Sequence, residues 1–137
     1  MVIKYNSHVI QALSYFLLLI PFGLLLGPFV PDLMVSLISI TFLFLVFMKK
    51  DFMYFKNIFF YLFMIFNTLI ILISLFSEDP FFSLKSSLVY FRFGIFALAV
   101  WFLVEHEKKL LKYFTISLVL SFLIAISFGY YQYFFDA

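Results

Sequence analysis

Charged residues in this chain are gathered in short clusters, and long uncharged intervals separate the clusters. The first interval, between Lys4 and Asp32, contains 27 residues, and the second, between Asp32 and Lys49, contains 16. A helix needs about 20 apolar residues to cross the roughly 30 Å hydrocarbon core of a bilayer. The intervals also lack the two-residue alternation of a membrane β-barrel. The chain is therefore predicted to be all-α, a polytopic bundle of transmembrane helices.

The composition argues against a soluble domain. Hydrophobic residues make up 66% of the chain, aromatic residues 25% and charged residues 12%. Soluble chains contain about 45–50% hydrophobic and about 25% charged residues. A globule of 137 residues leaves much of its surface in water and could not hide so much apolar area. The predicted surroundings of most of the chain are lipid.

Five spans are predicted within a single transmembrane region covering residues 1–137. Pro28 and Pro31 are expected to stop the first span and to leave a short loop that ends at Asp32. Asp79 is a candidate cap and Pro80 a candidate first helical residue ahead of the fourth span. The first span is too long for a cleaved secretory signal and is predicted to be a signal anchor. The predicted spans are residues 9–27, 33–48, 57–77, 87–104 and 113–135.

The lysines and arginine predict the orientation. Seven lysines fall in the N-terminal tail and the second and fourth loops, whereas the remaining two basic residues, Lys85 and Arg92, fall in or after the third loop. Because loops rich in Lys and Arg stay in the cytoplasm, the N-terminus is predicted to be cytoplasmic and the C-terminus to lie outside. The seven lysines are Lys4, Lys49, Lys50, Lys56, Lys108, Lys109 and Lys112.

Several kinds of chemistry find no support in the sequence. The chain has no cysteine and only two histidines, His8 and His106, so no metal site is predicted and no cofactor is expected. His106 and Glu107 begin an H-E-x-x-H pattern, but Leu110 stands where the second histidine must be. The net charge of +2 is too small to indicate nucleic acid. No catalytic residue is assigned.

Arg92 is the most informative residue because it interrupts a predicted span. If that helix begins near Ser86, Arg92 lies about 9–10 Å below the outer surface. It follows Lys85 by seven residues, so both cations fall on one helical face. One interpretation is capture of a phosphate or diphosphate at the outer interface. The alternative is an arginine that reaches outward to water or pairs with Glu78 or Asp79 across the hairpin.

Gly23 and Gly27 form the G-x-x-x-G pattern GLLLG on the first predicted helix. This pattern indicates close approach of two helices, either within the chain's own bundle or at a dimer face, and packing within the bundle is the favoured interpretation. Asn67 and Thr68 are polar residues in the middle of the third span, and Gln132 lies near the end of the fifth. Each is a weaker candidate for contact with a ligand or a neighbouring helix.

The run from Ile73 to Val104 resembles the bacterial O-antigen ligase and polymerase family. The resemblance comprises a Ser-x-Asp-Pro-like turn, serines after it, an aromatic-Arg-Phe step and a following apolar helix. The ending YYQYFF, Tyr130 to Phe135, is also similar to the fifth span of that family. The residues that carry the resemblance in the middle of the chain are Ser77, Asp79, Pro80, Ser83, Ser87, Tyr90, Arg92 and Phe93.

This resemblance implies a multi-pass protein of the bacterial inner membrane that transfers or polymerises glycan from an undecaprenyl diphosphate carrier. It implies that Arg92 contacts the diphosphate or the carrier, with Lys85 as a companion. Family members extend further, through a large periplasmic loop with a catalytic histidine. The chain is therefore expected to be the N-terminal membrane portion of such an enzyme and inactive alone. A small accessory membrane protein and a transporter fragment are the alternatives.

Overall fold

The structure is a computed structural model that describes residues 5–135, and Lys4 of the predicted cytoplasmic tail lies outside this range. The described residues form five long helices, with no strand among them, so the all-α prediction is confirmed. All five are long and apolar enough to cross a membrane. They are α1 (Ser7–Leu26), α2 (Phe29–Lys49), α3 (Ile58–Leu75), α4 (Pro80–His106) and α5 (Leu110–Phe135).

The connection between α1 and α2 is shorter than the predicted loop. Only Gly27 and Pro28 separate the two helices, and Pro31 lies inside the first turn of α2. Proline is tolerated there because the first backbone N–H groups of a helix have no intrahelical partner. Gly27 ends α1 with φ of 121°, a conformation that favours glycine. The prediction that Pro31 lies in a loop was therefore wrong.

Helix α4 begins at Pro80, seven residues before the predicted span, and runs for 27 residues. Pro80 is its first residue, as the sequence predicts, and the N–H of Ser83 donates to the carbonyl oxygen of Asp79 at 3.1 Å. The predicted membrane span nevertheless began only at residue 87. Instead Ser86 and Ser87 donate to carbonyl oxygens four residues earlier, so they are accommodated within the helix.

The longer α4 changes the position of Arg92. Twelve residues separate it from Pro80, which corresponds to about 18 Å along the helix. The sequence-based depth of about 9–10 Å instead assumed a helix that begins near Ser86, six residues later. Arg92 therefore lies close to the middle of α4 rather than in its second turn.

The described chain forms two compact units, each with its own packing. One unit is Ser39–Phe102, and its core is aromatic, with Phe42, Tyr54 and Phe102 buried. Tyr54 belongs to a short 3₁₀ helix, Phe52–Phe55, that connects α2 to α3. We call this 3₁₀ helix the aromatic segment.

The other unit contains residues 5–38 and 103–135, and in it α1 packs against α5. The hydroxyl of Ser117 on α5 donates to the carbonyl oxygen of Leu18 on α1. Gln11 and Tyr113 line one surface groove, and Leu24 and Ala125 line another further along both helices. The two helices are therefore parallel.

Candidate functional site in the α3–α4 hairpin

Four serines join α3 to α4 where the two helices turn. The hydroxyls of Ser74 and Ser87 hydrogen-bond to each other across the helix pair, and both side chains are buried. The hydroxyl of Ser77 donates to that of Ser83 at 2.8 Å. We call these four residues the serine cluster. They hold the end of α3 in register with the start of α4.

The buried serines also bond to the backbone of their own helices. Ser74 donates to the carbonyl oxygen of Ile70 and Ser87 to that of Ser83, each at 2.8 Å. Each hydroxyl carries a single hydrogen and can donate only one hydrogen bond at a time. The two hydroxyls therefore alternate between donating to their own helix and donating to each other. The pair can therefore exchange partners without breaking the contact between α3 and α4.

A second close contact lies further from the turn, at Gly94 of α4. A Cβ atom added to Gly94 would lie 2.1 Å from Cε1 of Phe63 on α3, a distance that real Cβ atoms essentially never show. The missing side chain thus creates the space that the Phe63 ring occupies. Together with the Ser74–Ser87 bond, this contact makes α3 and α4 an antiparallel pair.

Asn67 lies on α3 between these two contacts. Its side chain is 6% exposed, and Oδ1 is buried with no hydrogen-bond partner among the described residues. Counting from Ser74–Ser87 places Arg92 level with about residue 69 of α3, and counting from Phe63–Gly94 places it level with about residue 65. Asn67 and Arg92 therefore lie at nearly the same height in the hairpin.

Lys85 and Arg92 line one open groove along α4. Lys85 is exposed, whereas Arg92 is partly buried with its Nε enclosed. The guanidinium carbon of Arg92 lies 5.0 Å from the ring centroid of Phe93, within range of a cation–π interaction. The other residues that line the groove are Phe82, Ser86, Val89, Tyr90 and Phe93.

The groove combines two features that one ligand could use. Its cationic side chains can bind an oxyanion, and guanidinium geometry permits two parallel hydrogen bonds to a phosphate. Its aromatic and aliphatic side chains are exposed in a helix apolar enough to cross a membrane. The arrangement suits an anion that is attached to an apolar tail.

The two glycines of the predicted packing motif have different surroundings. Gly23 is buried, and a Cβ there would meet Cγ1 of Val30 at 3.1 Å and Cδ of Pro31 at 3.4 Å. Its close partner is therefore α2 of the same chain. Gly27 follows the end of α1, and a Cβ there would meet no described atom within 4 Å. Gly27 permits the turn, and Gly23 permits the packing.

The remaining candidates lie outside this hairpin groove or need no ligand. Thr68 is exposed and donates to the carbonyl oxygen of Met64 at 2.8 Å. Gln132 is exposed on α5. Among residues 5–135, no three histidines, cysteines or carboxylates lie together as metal ligands would.

Sequence reasoning missed Ser74 and Gly94. The signal for Ser74 was available, because serines occur at spacings of three or four residues on both sides of the Glu78–Pro80 turn. Such spacing places hydroxyls on one face of each helix. The role of Gly94 depends on Phe63, which is 31 residues away, and no local pattern indicates it.

A comparison of the chain with protein families, with curated proteins and with solved structures finds no match.

Proposed function

We propose that this chain binds the diphosphate of a lipid-linked glycan in the groove on α4. In this proposal it is the carrier-binding membrane portion of a glycan transferase of the O-antigen ligase or polymerase kind, in the bacterial inner membrane. The observation that carries the proposal is the shared groove of Lys85 and Arg92. The resemblance of residues 73–104 to that family supplies the identity of the carrier.

The spacing of the two cations supports binding of a diphosphate. Seven residues separate Lys85 from Arg92, which places their Cα atoms about 10 Å apart along the helix axis. Both side chains are long and flexible, so their charged ends can converge on two neighbouring phosphates. Arg92 is the stronger determinant, because its planar guanidinium can make two bonds to one phosphate whereas an ammonium acts as a point charge.

The apolar lining supports binding of a prenyl chain. Phe82, Val89, Tyr90 and Phe93 are all exposed along the same groove. In a bilayer such side chains face hydrocarbon, so a carrier lipid can lie along them while its diphosphate reaches the cations. The serine cluster fixes α4 against α3 and thereby holds the groove in one orientation.

Carrier binding can be measured with the purified chain in nanodiscs. We expect undecaprenyl diphosphate to bind and undecaprenol, which lacks the phosphates, to bind at least tenfold more weakly. Replacing Arg92 with Ala should weaken diphosphate binding about tenfold or more, since charge-assisted hydrogen bonds contribute about 1.5–3 kcal/mol. Arg92→Lys should also weaken it, whereas an arginine that only reaches toward water would tolerate lysine.

Lys112→Ala is the matched control, because it removes an exposed cation from α5 outside the groove. It should leave diphosphate binding unchanged, and Lys85→Ala should reduce it severalfold. Thermal unfolding of each variant checks that the fold is retained. Equal binding of diphosphate and undecaprenol, or unchanged binding after both Lys85→Ala and Arg92→Ala, would refute the proposal.

A further inference from the structure

We propose that the aromatic segment and the lysines beside it form a second binding site, for the headgroups of anionic phospholipids. The site comprises Phe52 and Met53 of the segment, with Lys49 and Lys50 before it and Lys56 after it. It is distinct from the groove on α4 and does not depend on the function proposed for that groove.

The segment is held in place by the burial of Tyr54. This side chain is 2% exposed, and its ring lies 5.9 Å from that of Phe42, 5.5 Å from Phe102 and 5.6 Å from Trp101, between ring centroids. All three contacts are close to perpendicular, an arrangement that aromatic pairs favour. The connection between α2 and α3 is therefore anchored in an aromatic core.

Backbone hydrogen bonds hold both ends of the segment. The N–H of Asp51 donates to the carbonyl oxygen of Val46, and the N–H of Lys56 donates to that of Met53, both at 3.1 Å. Lys50 turns the chain with φ of 53°, which is uncommon for a residue other than glycine. The anchored backbone fixes the positions from which the lysines extend.

Anchoring Tyr54 leaves its two predecessors on the surface. Phe52 is 41% exposed and Met53 is 58% exposed. Large apolar side chains beside a membrane span gain most by entering the boundary between headgroups and acyl chains. Phe52 and Met53 therefore form an apolar tip that can contact the acyl chains of a lipid, whereas a soluble anion offers no apolar group for them to contact.

The charges around this tip favour anionic lipid. Lys49, Lys50 and Lys56 are all exposed, and the one acidic residue among them, Asp51, is partly buried and already engaged in an interaction. Basic residues at the ends of membrane spans are attracted to anionic headgroups. The lysines can thus bind the anionic headgroup of a phospholipid while the neighbouring apolar side chains contact its acyl chains.

The connection between α4 and α5 provides a natural comparison. Lys108, Lys109 and Lys112 give it the same number of lysines, but Glu105 and Glu107 accompany them and no aromatic residue lies between His106 and Lys112. Removing three lysines from either connection changes the net charge of the chain equally. Because the α4–α5 connection has acidic neighbours and lacks the aromatic residues, only the connection with the aromatic segment should select anionic lipid.

Trp101 is the single tryptophan of the chain and contacts Tyr54, so its fluorescence reports on this site. The test uses the whole chain in nanodiscs with identical leaflets, which makes the orientation irrelevant. Brominated phosphatidylglycerol is compared with brominated phosphatidylcholine as a quencher of Trp101. We expect brominated phosphatidylglycerol to quench Trp101 more strongly than brominated phosphatidylcholine. The K49Q/K50Q/K56Q variant should reduce the ratio of the two lipid affinities by about tenfold.

The K108Q/K109Q/K112Q variant should keep the preference of the unmodified chain. An unchanged Trp101 emission maximum in unbrominated lipid shows that the aromatic core is intact in each variant. An equal loss in both triple variants, or no loss in K49Q/K50Q/K56Q, overturns the proposal. So does displacement of phosphatidylglycerol by millimolar inorganic phosphate, because a site for lipid needs the acyl chains as well as the anion.

Discussion

At the scale of single residues, Gly94 has the most sharply defined role. Its missing Cβ makes room for the ring of Phe63, with three ring carbons within 2.6 Å of the position that a Cβ would take. Gly129, on α5, has no described atom within 4 Å of the equivalent position apart from its own helix backbone and its chain neighbours. The two helical glycines therefore form a matched pair, one at a tight contact and one in open surroundings.

Replacing Gly94 with Ala is expected to destabilise the fold by about 1–3 kcal/mol, because the Phe63 ring must leave its position. Gly129→Ala should be neutral or stabilising by up to about 1 kcal/mol, since alanine is the better helix former. Unfolding in mixed micelles measures both free energies. Equal effects of the two substitutions would show that Phe63 does not pack against Gly94.

Asn67 is expected to lower the free energy of unfolding compared with an apolar residue at the same position. Its buried Oδ1 lacks a hydrogen bond, and such an atom loses its hydration without compensation. Asn67→Leu should therefore leave the free energy of unfolding unchanged or raise it by about 1 kcal/mol. The matched control is Ser87→Ala, which removes a bonded hydroxyl from the same hairpin and should lower stability by about 0.6 kcal/mol. A large loss in Asn67→Leu would contradict this account.

At the scale of helices and connections, the aromatic segment is the element that the sequence describes least well. Three lysines and an aspartate in a stretch of eight residues, 49–56, indicate an ordinary solvated loop. The structure instead buries Tyr54 between α2 and α4 within one compact unit. Burial of the Tyr54 ring thus fixes this charged connection to the core of the unit.

Tyr54→Ala should lower the free energy of unfolding by about 3 kcal/mol, because it removes a fully packed aromatic side chain. Met53→Ala, one residue earlier and exposed, should change stability by less than about 0.5 kcal/mol. The emission of Trp101 provides a second measurement, since its ring contacts Tyr54. If Tyr54→Ala leaves both stability and emission unchanged, the segment is not anchored by this ring.

At the scale of the whole molecule, the structure agrees with one requirement of five crossings. Odd-numbered helices must run in the same direction, and α1 and α5 are parallel within their unit. At one end of that unit the ring of Tyr5, before α1, lies 5.3 Å from the ring of His106, at the end of α4. Which end faces the cytoplasm remains a prediction from the lysines.

The absence of cysteine makes this orientation directly measurable. Glu78→Cys and Lys109→Cys each introduce a single exposed thiol, in the third and fourth connections respectively. A membrane-impermeant thiol reagent should label Glu78→Cys in intact cells and Lys109→Cys only after permeabilisation. The reverse pattern would place the N-terminus outside, and labelling of both in intact cells would contradict five crossings.

From the order of residues alone one can predict the number of spans, the lipid environment and the shared helical face of Lys85 and Arg92. These follow from hydrophobicity, charge spacing and helical periodicity, all of which act between residues close in the chain. Three features appear only in the folded structure, namely the Ser74–Ser87 bond, the space at Gly94 and the burial of Tyr54. All three depend on which distant side chains meet when helices pack, and the order of residues along one helix does not specify that.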